Sequence, residues 1–187
     1  MKNTGEAVVS RLRGVRVPRA GTALALALVL LVPAAAQAIS EYKVKAAFLL
    51  NFGKFVEWPS GKGDLEICVL GEDPFGSTLD DTLSGRKIGA RPVRARRIDD
   101  AGSARSCAIL FVSRRGNDGL DAVVSAVKGS PVLLVGEQDR FAKRGGMINF
   151  VEVDQKIRFE INETAAKQAG LKISSQLLKL ATIVDGG

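Results

Sequence analysis

Two adjacent carboxylate pairs, Glu72-Asp73 and Asp80-Asp81, are the side chains best suited by type and spacing to acid–base work. The first pair stands in Gly71-Glu72-Asp73-Pro74-Phe75-Gly76, where glycines between a strand and a helix can turn backbone amides toward an anion. This segment lacks both the G-x-G-x-x-G spacing and the Lys-Ser/Thr of a phosphate loop, so a tight turn with a proline-started helix accounts for the same residues. Glu72 and Asp73 precede a helix, where the helix dipole favours negative charge. Asp80 and Asp81 are neighbours on a helix and therefore diverge. The chain contains no histidine, which removes the commonest general base and the commonest metal ligand together. With two cysteines and no histidine, neither the familiar zinc sets nor a Ser-His-Asp or Cys-His constellation can be assembled. No catalytic residue, metal or cofactor is expected, and a carboxylate-dependent enzyme is the weakest reading of the chain.

The elements that must position these residues begin after a leader. Lys2, Arg11, Arg13, Arg16 and Arg19 precede an apolar run from Thr22 to Val32, then Pro33 and a string of small residues ending in Ala36-Gln37-Ala38. Positive region, apolar region and A-x-A site in that order predict a secretory signal peptide over residues 1–38, cut after Ala38. The apolar run is about 11 residues, short of the roughly 20 a membrane span needs. Losing five positive and one negative side chain takes the formal charge from +7 to +3. The remaining cluster of Arg86, Lys87, Arg91, Arg94, Arg96 and Arg97 has no aromatic interleaving and reads as a solvated strand and turn, not a nucleic-acid surface. Residues 39–187 fit one domain outside the cytoplasm, in the periplasm, with no membrane span after leader cleavage.

Within that domain Ser40 is an N-cap candidate. Val44, Phe48, Phe52 and Val56, widened by Ala47 and Phe55, form a helical stripe, with Lys43, Lys45, Asn51 and Lys54 largely off it. Trp58-Pro59 ends the helix. Leu65–Leu70 is a strand, and Pro74 opens a helix carrying Phe75, Leu79 and Leu83. Arg91–Ile98 alternates as an exposed or edge strand, while Cys107–Val112 is apolar throughout, as for a strand covered on both faces. A helix over Gly119–Val127 and a strand over Val132–Val135 follow. The order predicts a parallel sheet between helices. Met147–Val153 and Ile157–Ile161 then alternate as a hairpin across Asp154-Gln155-Lys156. Asn162 and Ser174 cap two last helices, the first stopped by Gly170. The fold class is α/β: a single Rossmann-like domain whose mixed sheet is parallel in its first part, antiparallel at the C-terminal hairpin, and flanked by helices.

In such a sheet ligands gather at the carboxyl ends of the strands. Gly71, Glu72, Gly76, Ser113, Arg114, Gly136 and Glu137 meet there and are the candidate ligand-binding residues. Trp58 at its helix end and Phe150 are the candidates for contact with a partner. Cys68 and Cys107 fall on strands that are neighbours in a 2-1-3 order. An oxidising compartment favours a disulfide, which would restrict the unfolded chain by about 4 kcal/mol. Two buried thiols account for the same positions. No C-x-x-C redox motif is present.

Taken together, several blocks resemble the YfiR family of periplasmic proteins. They are Lys45-Ala46-Ala47-Phe48-Leu49, Phe55-Val56-Glu57-Trp58-Pro59, Ile67-Cys68-Val69-Leu70-Gly71, Pro74-Phe75-Gly76, Gly145-Gly146-Met147-Ile148-Asn149-Phe150, Ile161-Asn162 and Gly170-Leu171-Lys172-Ile173-Ser174-Ser175-Gln176-Leu177-Leu178. The likeness spans residues 41–183. It implies a non-enzymatic regulator that represses a membrane-bound diguanylate cyclase, or another inner-membrane sensor, through its periplasmic region, and so lowers cyclic-di-GMP and biofilm-type behaviour. It also implies a homodimer. Cys68 and Cys107 match one disulfide of the family's namesake. A second pair, near Gly145-Gly146, has no counterpart here, which puts redox control of repression in doubt. The alternative drawn from the residues themselves is a periplasmic receptor for a small anion, using the strand-end crevice.

Overall fold

The computed structural model describes residues 34–59, 63–114 and 119–186, with backbone alone for 34–40. Residues 1–33 of the expected leader lie outside these described residues. Helix α1 spans Ala34–Phe55 and leads into the two-residue strand β1, Val56–Glu57. Strand β2 covers Leu65–Leu70, helix α2 Ser77–Leu83, strand β3 Lys87–Ile88 and strand β4 Arg91–Ile98. A 3-10 turn over Ala101–Ser106 precedes β5, Ile109–Val112. Next come α3, Leu120–Val127, and β6, Leu133–Gly136. The hairpin is β7, Ile148–Val153, and β8, Lys156–Ile161. The chain closes through α4, Glu163–Gln168, β9, Lys172–Ile173, α5, Ser175–Leu178, and β10, Thr182–Ile183.

The main sheet has the order β10-β8-β7-β6-β5-β2-β4-β3. From β4 through β2, β5 and β6 to β7 the pairings are parallel, and β7 to β8 is antiparallel. This is the expected α/β class, with a mixed sheet parallel at first and antiparallel at the hairpin. Every residue of β5 and β6 is buried, and so are five of the six in β2, Glu66 excepted. These apolar runs are covered on both faces, as parallel strands must be. Strand β4, expected at an edge, lies one place inside it, with only two-residue β3 beyond. At the hairpin tip Val153 pairs with Lys156, so the loop is the two residues Asp154 and Gln155, both at positive φ as a tight right-twisted turn requires.

Several boundaries differ from expectation for identifiable reasons. Helix α2 begins at Ser77, not Pro74, because Gly76 takes φ +53° and the Asp73 carboxylate accepts the Phe75 amide hydrogen in a local turn (2.8 Å). Cys107 ends the 3-10 turn and stands two residues before β5. Ser40 is internal to α1, since the alanine-rich stretch before it is itself helical.

The largest correction is the face of α1. Ala46, Leu49, Leu50 and Phe52 are buried, whereas Val44 is 42% exposed and Ala47 is exposed as well; Val56, expected on the helical stripe, is buried in β1 instead. Phe52 is fully buried, stacked on Phe150 (centroids 5.7 Å apart) and edge-on to Phe159 (5.3 Å); half-buried Phe48 reaches the same two rings. Phe111 and Phe75 extend the cluster to Tyr42. Lys45, expected off the buried stripe, is only 2% exposed.

At the C-terminal end Asn162 caps α4 by accepting from the Ala165 amide (2.9 Å), while its own amide donates to the Ala142 carbonyl (2.8 Å). Ser174 caps α5 through Gln176.

Candidate functional site

Strand register alone assembles the carboxyl-end crevice. Leu70 pairs with Val112, and Val112 with Gly136. The residues that follow them, Gly71, Ser113 and Glu137, therefore stand in a row at the end of β2, β5 and β6. Ser113 donates its amide to the Leu70 carbonyl (3.1 Å) and accepts at its own carbonyl from the Gln138 amide (3.3 Å). Arg114 reaches across to the Glu137 carbonyl (3.0 Å).

The row is not open. Helix α1 crosses it, and Lys45 points inward to the Glu137 carboxylate, with side chains 3% and 2% exposed. The same ammonium contacts Glu41 one helical turn earlier. Tyr42 donates its hydroxyl to Glu137 (3.0 Å), and Lys45 Nζ lies 4.6 Å from the centre of the Tyr42 ring. Both carboxylate oxygens of Glu137 thus have a partner from within the chain. A buried carboxylate is tolerated only with such partners, because leaving one uncompensated is strongly destabilising. Gly136 is likewise engaged. A Cβ there would come within 2.5 Å of the Phe141 ring, so this glycine makes room for core packing instead of exposing an amide.

Burial, the Glu137 charge and the hydrogen bond to it together raise the Tyr42 phenol well above its ordinary value of 10.0. Above that pH the unfolded chain releases the phenolic proton while the folded chain keeps it, so stability must fall as pH rises. Tyr42→Phe removes this alkaline decline and, through the lost hydrogen bond to a carboxylate, costs about 1.5–3 kcal/mol at neutral pH. Urea titrations of both proteins at pH 7 and at successively higher pH check both signs.

The Gly71–Gly76 loop is also held shut. Arg97 on β4 contacts Asp73 (2.8 Å) and both oxygens of Asp80 (2.9 and 2.6 Å), and donates to the Gly76 carbonyl (2.7 Å). Gly71 and Gly76 sit at positive φ, as the turn demands, and Glu72 is exposed on it. The carboxylate pairs are therefore split by role: Asp73 and Asp80 grip one arginine, while Asp81 is exposed.

The hydrogen bond from Arg97 holds the Asp80 carboxyl below its ordinary 3.8. A depressed acid contributes stability above its unfolded pKa and loses it as pH falls through the folded one. Asp80 is half exposed, so Asp80→Asn is expected to cost only about 0.5–1 kcal/mol at pH 7 and to flatten the stability curve below pH ~4. Thermal melts across pH 3–7 read both effects.

Other basic residues of the cluster behave similarly: Arg94 pairs with Asp64 and Arg96 with Glu66 (3.1 Å), across the β4–β2 register.

The two partner candidates lie apart. Trp58 is half-buried at the opposite end of the sheet and donates its indole N–H to the Ala108 carbonyl (3.2 Å). Phe150, only 3% exposed, belongs to the aromatic core, and this burial removes it as an exposed anchor. Beside the plugged crevice an open hollow of about 540 Å³ remains, with Arg114, Gln138, Asp139 and Glu152 in its wall. Cys68 and Cys107 form a disulfide with Cα atoms 5.9 Å apart. Sequence reasoning missed Tyr42 and Lys45. Leu49 and Leu50, four and five residues beyond Lys45, were the available sign that this lysine faces inward.

Among the described residues no helix is long and apolar enough to cross a membrane. Among solved structures, the ABC domain in complex with L-Trp from Streptococcus pneumonia superposes with a TM-score of 0.46 at 13% identity. That likeness covers 65% of this chain and 55% of that one, little more than half its length. The YfiR/HmsC-like family model (DUF4154) matches residues 42–182, from the tyrosine that plugs the crevice to the first residue of the last strand. The chain belongs to the YfiR/HmsC-like family of periplasmic regulatory proteins.

Proposed function

We propose that this protein works by surface contact, binding the periplasmic region of a membrane-bound diguanylate cyclase and restraining cyclic-di-GMP synthesis. Family membership supports this reading. The observation that carries it is the filled crevice: where an open α/β sheet receives small molecules, this chain inserts Tyr42 and Lys45 against Glu137. A buried pair of that kind holds the helix in place and leaves little room for a substrate. Cleavage after Ala38, a mature domain over residues 39–187 and a homodimer belong to the same proposal. Mass spectrometry of the periplasmic protein and its sedimentation behaviour test those parts.

The central test is cross-linking in intact cells followed by purification from membranes. The expected result is recovery of an inner-membrane cyclase, together with a rise in cyclic-di-GMP when the protein is deleted. Folded, abundant protein that recovers no membrane sensor, with unchanged cyclic-di-GMP on deletion, overturns the reading.

A second reading, a receptor for a small anion, is favoured by the open hollow beside Arg114. Inorganic phosphate raising the melting temperature in the wild type, but not in Arg114→Ala, would support it.

A further inference from the structure

The disulfide has a cation built against it. Arg96 Nη2 lies 3.3 Å from Cys107 Sγ and 3.7 Å from Cys68 Sγ. The same nitrogen is 2.6 Å from Ser106 Oγ and 3.3 Å from the Ser103 carbonyl. It carries only two hydrogens for these four acceptors. Ser106 Oγ takes one at the shortest range, and the second falls between the Ser103 carbonyl and the sulfurs. Nε lies 3.1 Å from Glu66 Oε2, yet it is buried and has no partner in hydrogen-bonding geometry. A divalent sulfur is a weak acceptor, so in the oxidised protein the edge of the guanidinium that faces the sulfurs is weakly bonded, while Ser106, Ser103 and the Glu66 carboxylate hold the rest of it. A thiolate at the same place is a far better partner, because a charge-assisted bond is roughly twice as strong as a neutral one.

The two sulfurs are not equivalent. Cys68 is fully buried in the centre of β2 and is the farther from Arg96. Cys107 is itself buried, at 3% exposure, but it ends the 3-10 turn, where Gly102, Ser103, Arg105 and Ser106 are exposed and Ala101 and Ala104 are not. Among the described residues the charged groups around the pair are few. Arg96 comes from β4 and Glu66 from β2; within the turn, Asp100 is engaged with Ser103 and Arg105 with the Ala126 carbonyl. Strand β5 brings no charge. The carbonyl end of the turn and the Glu66 carboxylate oppose a thiolate, and the guanidinium at 3.3 Å favours it at closer range.

We propose that Arg96 makes Cys107 the reactive sulfur of the pair: in the reduced, folded protein Cys107 stands as a thiolate against the guanidinium and is the sulfur that enters thiol–disulfide exchange. With an external disulfide RS–SR, the Cys107 thiolate bonds to one sulfur and expels RS⁻. The Cys68 thiol then gives its proton to solvent and attacks Cys107 Sγ, forming the intramolecular disulfide and expelling the second RS⁻. Two electrons pass from the cysteine pair to the external disulfide, which leaves as two thiols. Read backwards, the same arrangement eases reduction, because Cys107 departs as a stabilised thiolate.

The experiment is iodoacetamide labelling of the reduced protein across pH, with each cysteine quantified by peptide mass spectrometry and the fold followed by circular dichroism. Cys107 is expected to reach half its plateau rate below the ordinary thiol value of about 8.5, and to label at least tenfold faster than Cys68 at pH 7. Arg96→Met should move the Cys107 midpoint upward and abolish the preference, and Arg96→Lys should restore part of it. In a glutathione buffer, Arg96→Met should also shift the equilibrium toward the disulfide, which loss of a merely structural arginine would not do. Equal labelling of the two cysteines overturns the proposal, whether the chain opens on reduction or the guanidinium turns elsewhere. So does a Cys107 midpoint that ignores Arg96.

Discussion

Lys45→Met is expected to lower the unfolding free energy by about 3–5 kcal/mol, the range for stripping one partner from a buried ion pair. The loss is not the worth of the attraction. It is the cost of keeping Glu137, 4% exposed, charged with Tyr42 as the one side-chain donor left to it among the described residues. The reverse change should cost less. Glu137→Met leaves Lys45 its contact with Glu41, whose side chain is 36% exposed and brings solvent to the site. Removing both charges, in Lys45→Met/Glu137→Met, should recover most of the stability, since buried pairs replaced by apolar groups of similar volume are often neutral. Urea denaturation of the four proteins forms a double-mutant cycle. Single variants within 1 kcal/mol of wild type would show that the pair is solvated and that the crevice opens in solution.

Opening the Cys68–Cys107 bond is the second large effect. The cysteines are 39 residues apart, and on the chain-entropy account closing such a loop restricts the unfolded state by about 4 kcal/mol. The loop holds α2, β3 and β4, so the bond joins β2 to the start of its neighbour β5 and closes the outer edge of the sheet into a loop. Reduction with dithiothreitol, or Cys68→Ala/Cys107→Ala, should lower the urea midpoint by the corresponding amount. A shift under 1 kcal/mol would mean that the reduced unfolded chain already keeps β2 and the start of β5 together.

How far the sequence carries can be seen at particular residues. Strands β2, β5 and β6 are legible because a strand covered on both faces must be apolar at every position, and few other elements look like LEICVL or LLVG. The hairpin is legible from alternation, and the caps Asn162 and Ser174 from local hydrogen-bonding chemistry. Once those strands are placed, the row of Gly71, Ser113 and Glu137 follows from register.

What fills that row does not follow. The burial of Lys45 depends on Glu137, 92 residues later in the chain, and no local pattern distinguishes a lysine with a buried partner from one in water. The phenylalanine repeat compounds this: Phe48 and Phe52 draw the stripe toward Val44, while the sheet receives the adjoining face with Ala46, Leu49 and Leu50. Gly136 misleads in the same way, since the ring that needs its empty side comes from Phe141.

Strand β2 is bonded on both sides along the sheet, to β4 and to β5, whereas β10 has a neighbour on one side only and consists of two residues. Solvent deuterium should therefore enter the backbone very unevenly. The amides of Ile67–Leu70 should exchange only when the whole molecule unfolds, and those of Thr182–Ile183 through fraying of the C-terminus alone. A chain shortened after Ala181 should consequently retain the slow-exchanging heart of the sheet.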